Sequence, residues 1–213
     1  MASLEAELDA ARELAVDELA DAIEAIGFEC TRCGGCCRGD ADDPHTATVF
    51  PEEVRTLVEA GDYDWRDVAR PVPFGLQDGV GETFEWALQV DDCGDCTFYE
   101  EGDVGEDGAC TVYGDRPLIC ASYPFSVDLG GTTPMGAVVD SRGAVTAHEC
   151  EGLGRDIERA DAEALATTLK RRTVRDLEEA IAVRDAYAPV QAEGTVVHDS
   201  EGAKRPDGSP VSR

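Results

Sequence analysis

The sequence predicts a small α+β domain, loop-rich and organised by metal, flanked by N- and C-terminal helices. Two observations predict the helices and one the metal: apolar residues recur at helical spacing near each end, and nine cysteines lie between positions 30 and 150 in glycine-rich surroundings. On this reading the 213 residues divide into an N-terminal amphipathic helix over 1–27, a cysteine-cluster metal-binding domain over 28–154, a C-terminal helix over 155–189 packing on that domain, and a mobile tail over 190–213.

The first helix is expected over 3–26. Ser3 can cap it, Leu4, Leu8, Ala11, Ala15, Leu19, Ala22 and Ile26 form its stripe, and Gly27 stops it. Pro51, at a first-turn position, opens a short helix to about Ala60. A second short helix covers Trp65 to Ala69 and ends before Pro71 and Pro73. Thr83 to Val90 alternates as a strand does. The stretch from Cys93 to Cys120 reads as loop, and loops of that length are functional or tied down, here by cysteines. Phe125–Leu129 and Met135–Val139 pair as a hairpin across Gly130-Gly131, and a long helix runs from about Arg155 to Tyr187.

Acidic residues outnumber basic ones 46 to 18, for a formal net charge of −28, and Lys170 and Lys204 are the only lysines. A foldable chain this acidic suits very high salt, where screening removes self-repulsion. The charge argues against nucleic-acid binding, because no basic face is there to neutralise phosphates. The first residues lack the basic start and apolar run of a secretory signal, and no run approaches the roughly 18 apolar residues of a membrane span. The expected address is therefore the cytoplasm, where clustered cysteines are metal ligands or redox thiols rather than disulfides.

Cys30, Cys33, Cys36 and Cys37 fall within eight residues. A two-residue spacer turns both sulfurs of a pair towards one metal and lets the intervening amides hydrogen-bond to the thiolates, and Arg32 with Gly34-Gly35 suits such a turn. The first three reproduce the C-x2-C-x2-C run of ferredoxin-type clusters, which points to an iron–sulfur cluster of the [4Fe–4S] kind, with zinc as the alternative. The pattern then departs from ferredoxin, because Cys37 follows at once. Neighbouring cysteines rarely point the same way, so Cys36 and Cys37 serve different centres or different edges of one centre. Further ligands come from far along the chain, where Cys93 and Cys96 form a second pair and Cys110, Cys120 and Cys150 stand alone.

The ordered signature is Cys30-x2-Cys33-x2-Cys36-Cys37, Cys96-Thr97-Phe98-Tyr99, Cys110-Thr111-Val112-Tyr113-x2-Arg116-Pro117-x2-Cys120, Tyr123-Pro124 and Cys150-Glu151-Gly152-Leu153-Gly154. It resembles the YkgJ-like cysteine-cluster family, over roughly residues 30–155. The resemblance implies that Cys30, Cys33, Cys36, Cys37, Cys96, Cys110, Cys120 and Cys150 bind metal inside the cell, and it implies no settled reaction. Flagellin lysine N-methylases look related, which opens a branch in which the cluster serves a modifying enzyme. Cys93 lies outside the family positions, as a spare thiol or a local variant ligand, and Glu151 stands where the resemblance leads one to expect proline in many relatives.

Among the other residues, Arg116 either offsets thiolate charge or pairs with a carboxylate. His45 and His148 are weighed as ligands and set aside, because the cysteines suffice, and His198, in the expected tail, gets no role. Lys170, Arg171, Arg172 and Arg175 are the one basic cluster, read as a solvated helix face beside Asp176, Glu178 and Glu179. There is no phosphate loop, no G-x-S-x-G, no H-E-x-x-H and no C-x3-C-x2-C of radical S-adenosylmethionine enzymes, so no catalytic residue is assigned. The expected partner is an unidentified protein or protein substrate. A structural zinc module that presents a protein-binding surface is the reading from another class.

Overall fold

Ser3 opens the first helix, Leu4–Glu13, with its side-chain oxygen accepting the Ala6 amide at 3.3 Å. The computed structural model describes residues 3–39, 44–102, 108–131, 136–190 and 193–211. The single N-terminal helix expected over 3–26 is two: the second spans Val16–Ile26 and ends at Gly27. Leu14 and Ala15 between them are extended, and the Lys170 ammonium takes the Leu14 carbonyl at 2.7 Å. That capture removes an acceptor from a continuous helix, while Asp17 and Glu18 favour a fresh N-terminus at Val16. The apolar stripe runs unbroken through both helices, so periodicity hides the joint.

The α+β class holds, as helices and several small sheets, and the chain falls into two compact units. One is made of the chain up to Cys36 together with Leu118–Glu178, the other of Cys37–Glu101, Ala109–Pro117 and the chain from Glu179.

The first unit buries Leu19, Ala20, Ile23 and Ile26 of the second helix against Phe125, Val145 and Ala147 of a sheet and Ala162, Ala166 and Leu169 of the long helix Arg159–Ala186. Phe28 meets Phe125 edge-on at 5.7 Å. The sheet is antiparallel, with Val145–His148 between Phe125–Val127 and Val138–Arg142. This corrects the expected 125–129/135–139 hairpin: both outer strands pair with residues 145–148, whose Val145 and Ala147 are fully buried. Met135 lies outside the described residues. The basic run of the long helix is only partly a solvated face. Besides Lys170, Arg172 donates to the Ser122 hydroxyl at 3.2 Å and the Phe125 carbonyl at 3.4 Å.

In the second unit the helix Pro51–Ala60 buries Val54 and Leu57. Trp65–Val68 is a short capped turn of helix that passes directly into the strand Ala69–Pro71. The strand expected over 83–90 divides, because Val80–Thr83 joins one sheet and Trp86–Leu88 another. Trp86–Leu88 lies between Thr48–Val49 and Ala69–Pro71.

The last segment is not a mobile tail. Thr195–Asp199 pairs parallel with Val80–Thr83 and antiparallel with Gly202–Lys204, and Val196, Val197, His198 and Asp199 are all buried. Asp199 accepts the Trp86 indole N–H at 2.9 Å and the Lys204 ammonium at 2.8 Å. His198 stacks on Phe84 at 5.5 Å and meets Tyr187 at 4.9 Å. Its polar letters mislead because Asp199, Glu201, Lys204 and Asp207 each pair with an opposite charge. Among the described residues no helix is long and apolar enough to cross a membrane.

Candidate metal centre

Gly27 to Glu29 and Gly152 to Gly154 run side by side in opposite directions. The Gly154 amide donates to the Gly27 carbonyl at 3.0 Å, Phe28 and Leu153 form a bridge, and the Glu29 amide donates to the Gly152 carbonyl at 3.0 Å. This short ladder delivers Cys30 and Cys150 to the same end. Gly152 belongs there because a Cβ would lie 2.2 Å from the Glu29 carbonyl oxygen.

After Cys30 the chain coils tightly. Arg32 has φ +57° and Gly34 φ +74°, so a residue in each spacer of the C-x2-C-x2-C run passes through the left-handed region. The Gly35 amide points at the Cys33 sulfur at 3.4 Å, and the Gly152 amide at the Cys150 sulfur at 3.4 Å. Amides aimed at sulfur favour the thiolate, the form that binds metal.

Cys30, Cys33 and Cys36 each lie near enough to act electrostatically on Cys150. The Cys150 thiol is pushed up, first by burial and then by Cys36, Cys33 and Cys30, against the opposing Gly152 amide. A cation bound among them removes that penalty and drives the protons off. Tyr123 stands at the edge of the group and donates its hydroxyl to the Glu149 carbonyl. Burial, then Cys150, Cys36, Glu149 and Cys33, push its phenol up to about 12, so it stays a neutral donor beside the thiols. The signature quotes Tyr123 without a role; its place beside Cys150 is visible only in the fold.

In the second unit, Cys37, Cys93, Cys96 and Cys110 are held by a separate lattice of backbone bonds. The Cys96 amide donates to the Cys37 carbonyl at 2.8 Å, the His45 amide to the Gly94 carbonyl at 2.8 Å, and the Gly39 amide to the Asp95 carboxylate at 2.8 Å. Gly39 fits this approach, since a Cβ would meet the Gly94 oxygen at 2.6 Å. Asp91 accepts the amides of Cys93 and Asp95 at 2.8 and 3.0 Å, which fixes the C-x2-C turn. The Tyr99 amide donates to the Cys96 carbonyl at 2.9 Å, and Tyr99 pairs across the two-residue strands with Cys110.

Cys120 sits in the helix Leu118–Ser122 of the first unit, one residue before Ala121 and three before Tyr123. All nine cysteines are free of disulfides. Among the described residues, no group of three or more His, Cys, Asp or Glu side chains is gathered closely enough to hold a metal ion. His148 is hydrogen-bonded through Nε2 to the Ser126 hydroxyl at 2.6 Å. Arg116 lies over the Tyr113 ring at 3.6 Å and donates to the Tyr113 carbonyl, so its described contacts are with neither a thiol nor a carboxylate.

Reduced thiols, left-handed turns between them and amides aimed at sulfur define a cysteine-rich metal-binding protein. Residues 29–151 match the CxxCxxCC family, described as a putative zinc- or iron-chelating domain, and the chain belongs to that family. The YkgJ-like resemblance fits it. No curated protein and no solved structure matches the chain.

Proposed function

We propose that the chain is an iron–sulfur protein whose centre in the first unit is held by Cys30, Cys33, Cys36 and Cys150, with Cys37, Cys96, Cys110 and Cys120 completing the thiols that bind metal. One observation carries the choice of a cluster. Cys150 feels the charge of Cys36, Cys33 and Cys30, yet no three of the described ligand-type side chains crowd to single-ion spacing. A zinc ion bound to four thiolates at about 2.3 Å holds its sulfurs about 3.8 Å apart. A four-iron cube takes one thiolate per iron and needs a wider ring of sulfurs. The N–H···S bonds from Gly35 and Gly152 support this reading, because hydrogen bonds to sulfur tune cluster potential.

When bound, such a cluster supplies one-electron chemistry. The chain's own residues orient the sulfurs and hold the neutral Tyr123 phenol near the thiolates. The role we infer is redox, sensing or cluster-dependent modification in the cytoplasm, with a protein as partner or substrate. The net charge of −28 opposes nucleic acid, supports working in high salt and leaves no affinity for anionic membranes.

The reading is tested by anaerobic purification with analysis of iron, acid-labile sulfide and zinc. Brown protein that contains iron and sulfide and bleaches with dithionite is expected. Colourless protein with stoichiometric zinc and no sulfide, even after anaerobic reconstitution, would make it a structural zinc module.

A further inference from the structure

Tyr123 projects from a fixed stretch of backbone in the first unit. Ser122 and Phe125, on either side of Tyr123-Pro124, are fully buried, and Arg172 of the long helix holds both, donating to the Ser122 hydroxyl at 3.2 Å and the Phe125 carbonyl at 3.4 Å. The Ser122 hydroxyl donates in turn to the Leu118 carbonyl at 2.8 Å, and the Tyr123 amide to the Ile119 carbonyl at 3.1 Å.

From there two bonds reach the chain just before Cys150. The His148 amide donates to the Pro124 carbonyl at 2.9 Å, and the Tyr123 hydroxyl donates to the Glu149 carbonyl. Beyond Cys150 the chain is held again, where Gly152 and Gly154 join the ladder to Gly27–Glu29. Cys150 is therefore pinned from both sides. Glu149 is exposed, so solvent would satisfy its carbonyl without Tyr123; what the phenol adds is direction rather than the pairing of a buried group. Tyr123 also lies near enough to Cys150, Cys36 and Cys33 for their charges to act on its phenol.

We propose that Tyr123 is a positioning residue for the metal site: its hydroxyl, held in place through Arg172, clamps the Glu149 carbonyl and so sets the Cys150 sulfur against the Cys30–Cys36 run. The inference rests on the reading that Cys150 binds metal, but not on which metal. It gives Arg172, a member of the one basic cluster in the sequence, a part in the site. Bonds behind a ligand fix its direction, and losing one costs roughly tenfold or more in metal affinity.

Tyr123→Phe keeps the ring and removes only the hydroxyl. Full-length protein purified anaerobically is compared as wild type, Y123F, C150S and the double variant, with far-UV circular dichroism as the check on folding. Metal release to excess chelator should be roughly tenfold faster in Y123F than in the wild type. In the C150S background the same change should alter release by less than about twofold, because the ligand it places is gone. A second measurement needs neither bound metal nor C150S, and it decides where C150S holds too little metal to time its release. In metal-free protein, alkylation mapped by mass spectrometry should speed up at Cys150 in Y123F and stay unchanged at Cys120 and the buried Cys96. Equal acceleration of release in both backgrounds, or alkylation rising alike at all three thiols, would make the hydroxyl a general stabiliser and overturn the proposal. So would wild-type rates of release and alkylation in Y123F. C150S releasing metal no faster than the wild type would instead strike Cys150 from the ligands, and the clamp with it.

Discussion

The amide of Glu29 donates to the carbonyl of Gly152 at 3.0 Å, and a Cβ on Gly152 would come within 2.2 Å of the Glu29 oxygen. The neighbours of these two residues are Cys30 and Glu151, with Cys150 one step further, so the ladder that seats the thiols depends on a missing side chain.

Gly152→Ala should therefore push residues 152–154 away from residues 27–29. Backbone displacement of this kind costs about 1–3 kcal/mol. We expect the variant to lose metal and to unfold at lower urea than the wild type, with Gly154→Ala as the comparison. Gly154 has φ +75° but open space around its missing Cβ, so its cost is conformational strain alone. Equal metal content in G152A and the wild type would show that this approach does not govern the site.

The C-terminal strands should be essential to the second unit. Asp199 is 2% exposed and holds both the Trp86 indole and the Lys204 ammonium. Removing one member of a buried pair costs about 3–5 kcal/mol, because the other charge stays buried alone. Asp199→Ala should lower stability by about that amount, read by urea unfolding in high salt. A loss indistinguishable from zero would restore the expectation of a mobile tail.

Acid should weaken the same region. Glu201 accepts Arg55 at 2.6 and 3.0 Å and Lys204 at 2.7 Å. The Arg55 hydrogen bond, followed by Lys204, holds its carboxyl down at about 2 against an ordinary 4.5. A depressed carboxyl contributes stability that is complete above the ordinary value and disappears as pH falls through the folded one. Wild type should lose stability between about pH 4.5 and 2, and Glu201→Gln should have a shallower fall across that window. Parallel curves for the two proteins would show that the Arg55 pair contributes nothing.

Metal removal should act locally. The turn of Asp91–Cys96 and the two-residue strands at Tyr99–Glu100 and Ala109–Cys110 bury little, while ordering backbone costs about 1–2 kcal/mol per residue. A structural metal site can contribute about 10 kcal/mol. Hydrogen exchange on apo and holo samples in molar salt should show amides 93–101 and 109–120 losing protection in the apo form, along with those around Cys30–Cys37. The helices Leu4–Glu13 and Val16–Ile26 should keep theirs. Equal protection in both samples would make the metal a passenger.

Salt itself is the remaining variable. With 46 acidic residues against 18 basic ones, self-repulsion should destabilise the chain when the screening length is about 10 Å, at 0.1 M, and fade when it is about 3 Å, at 1 M. The urea midpoint should rise steadily over that range, and a flat response would count against adaptation to high salt.

The fold class, the capped helices and the thiols were legible because each rests on local chemistry. Ser3 caps, Pro51 starts a helix, and cysteines two residues apart make a turn. What the sequence hid depends on distant partners. The joint at Leu14 is made by Lys170, 156 residues away, and Trp86 gives Asp199 its buried place 113 residues on. Residues 125–127 look ready to fold back on residues 138–139, yet both wait for the central strand of Val145 and Ala147, which are fully buried. The family signature counted Cys150 among the ligands, but its place beside the first cysteine run is visible only in the fold, since nothing local to Cys150 announces it. Charge also misled at His198, which aromatic stacking and Glu82 shelter from water.

The parallel register of Val197 with Thr83 has a consequence for synthesis. The ribosome delivers Thr83 more than a hundred residues before the strand that must lie beside it, and Cys30 likewise emerges long before Cys150. For most of its translation the nascent chain exposes early thiols with no completed frame to receive them. On the proposed ligand set, metal insertion would follow the emergence of the late segments, and a cell loading this protein would have to keep its first cysteines reduced and unclaimed until then.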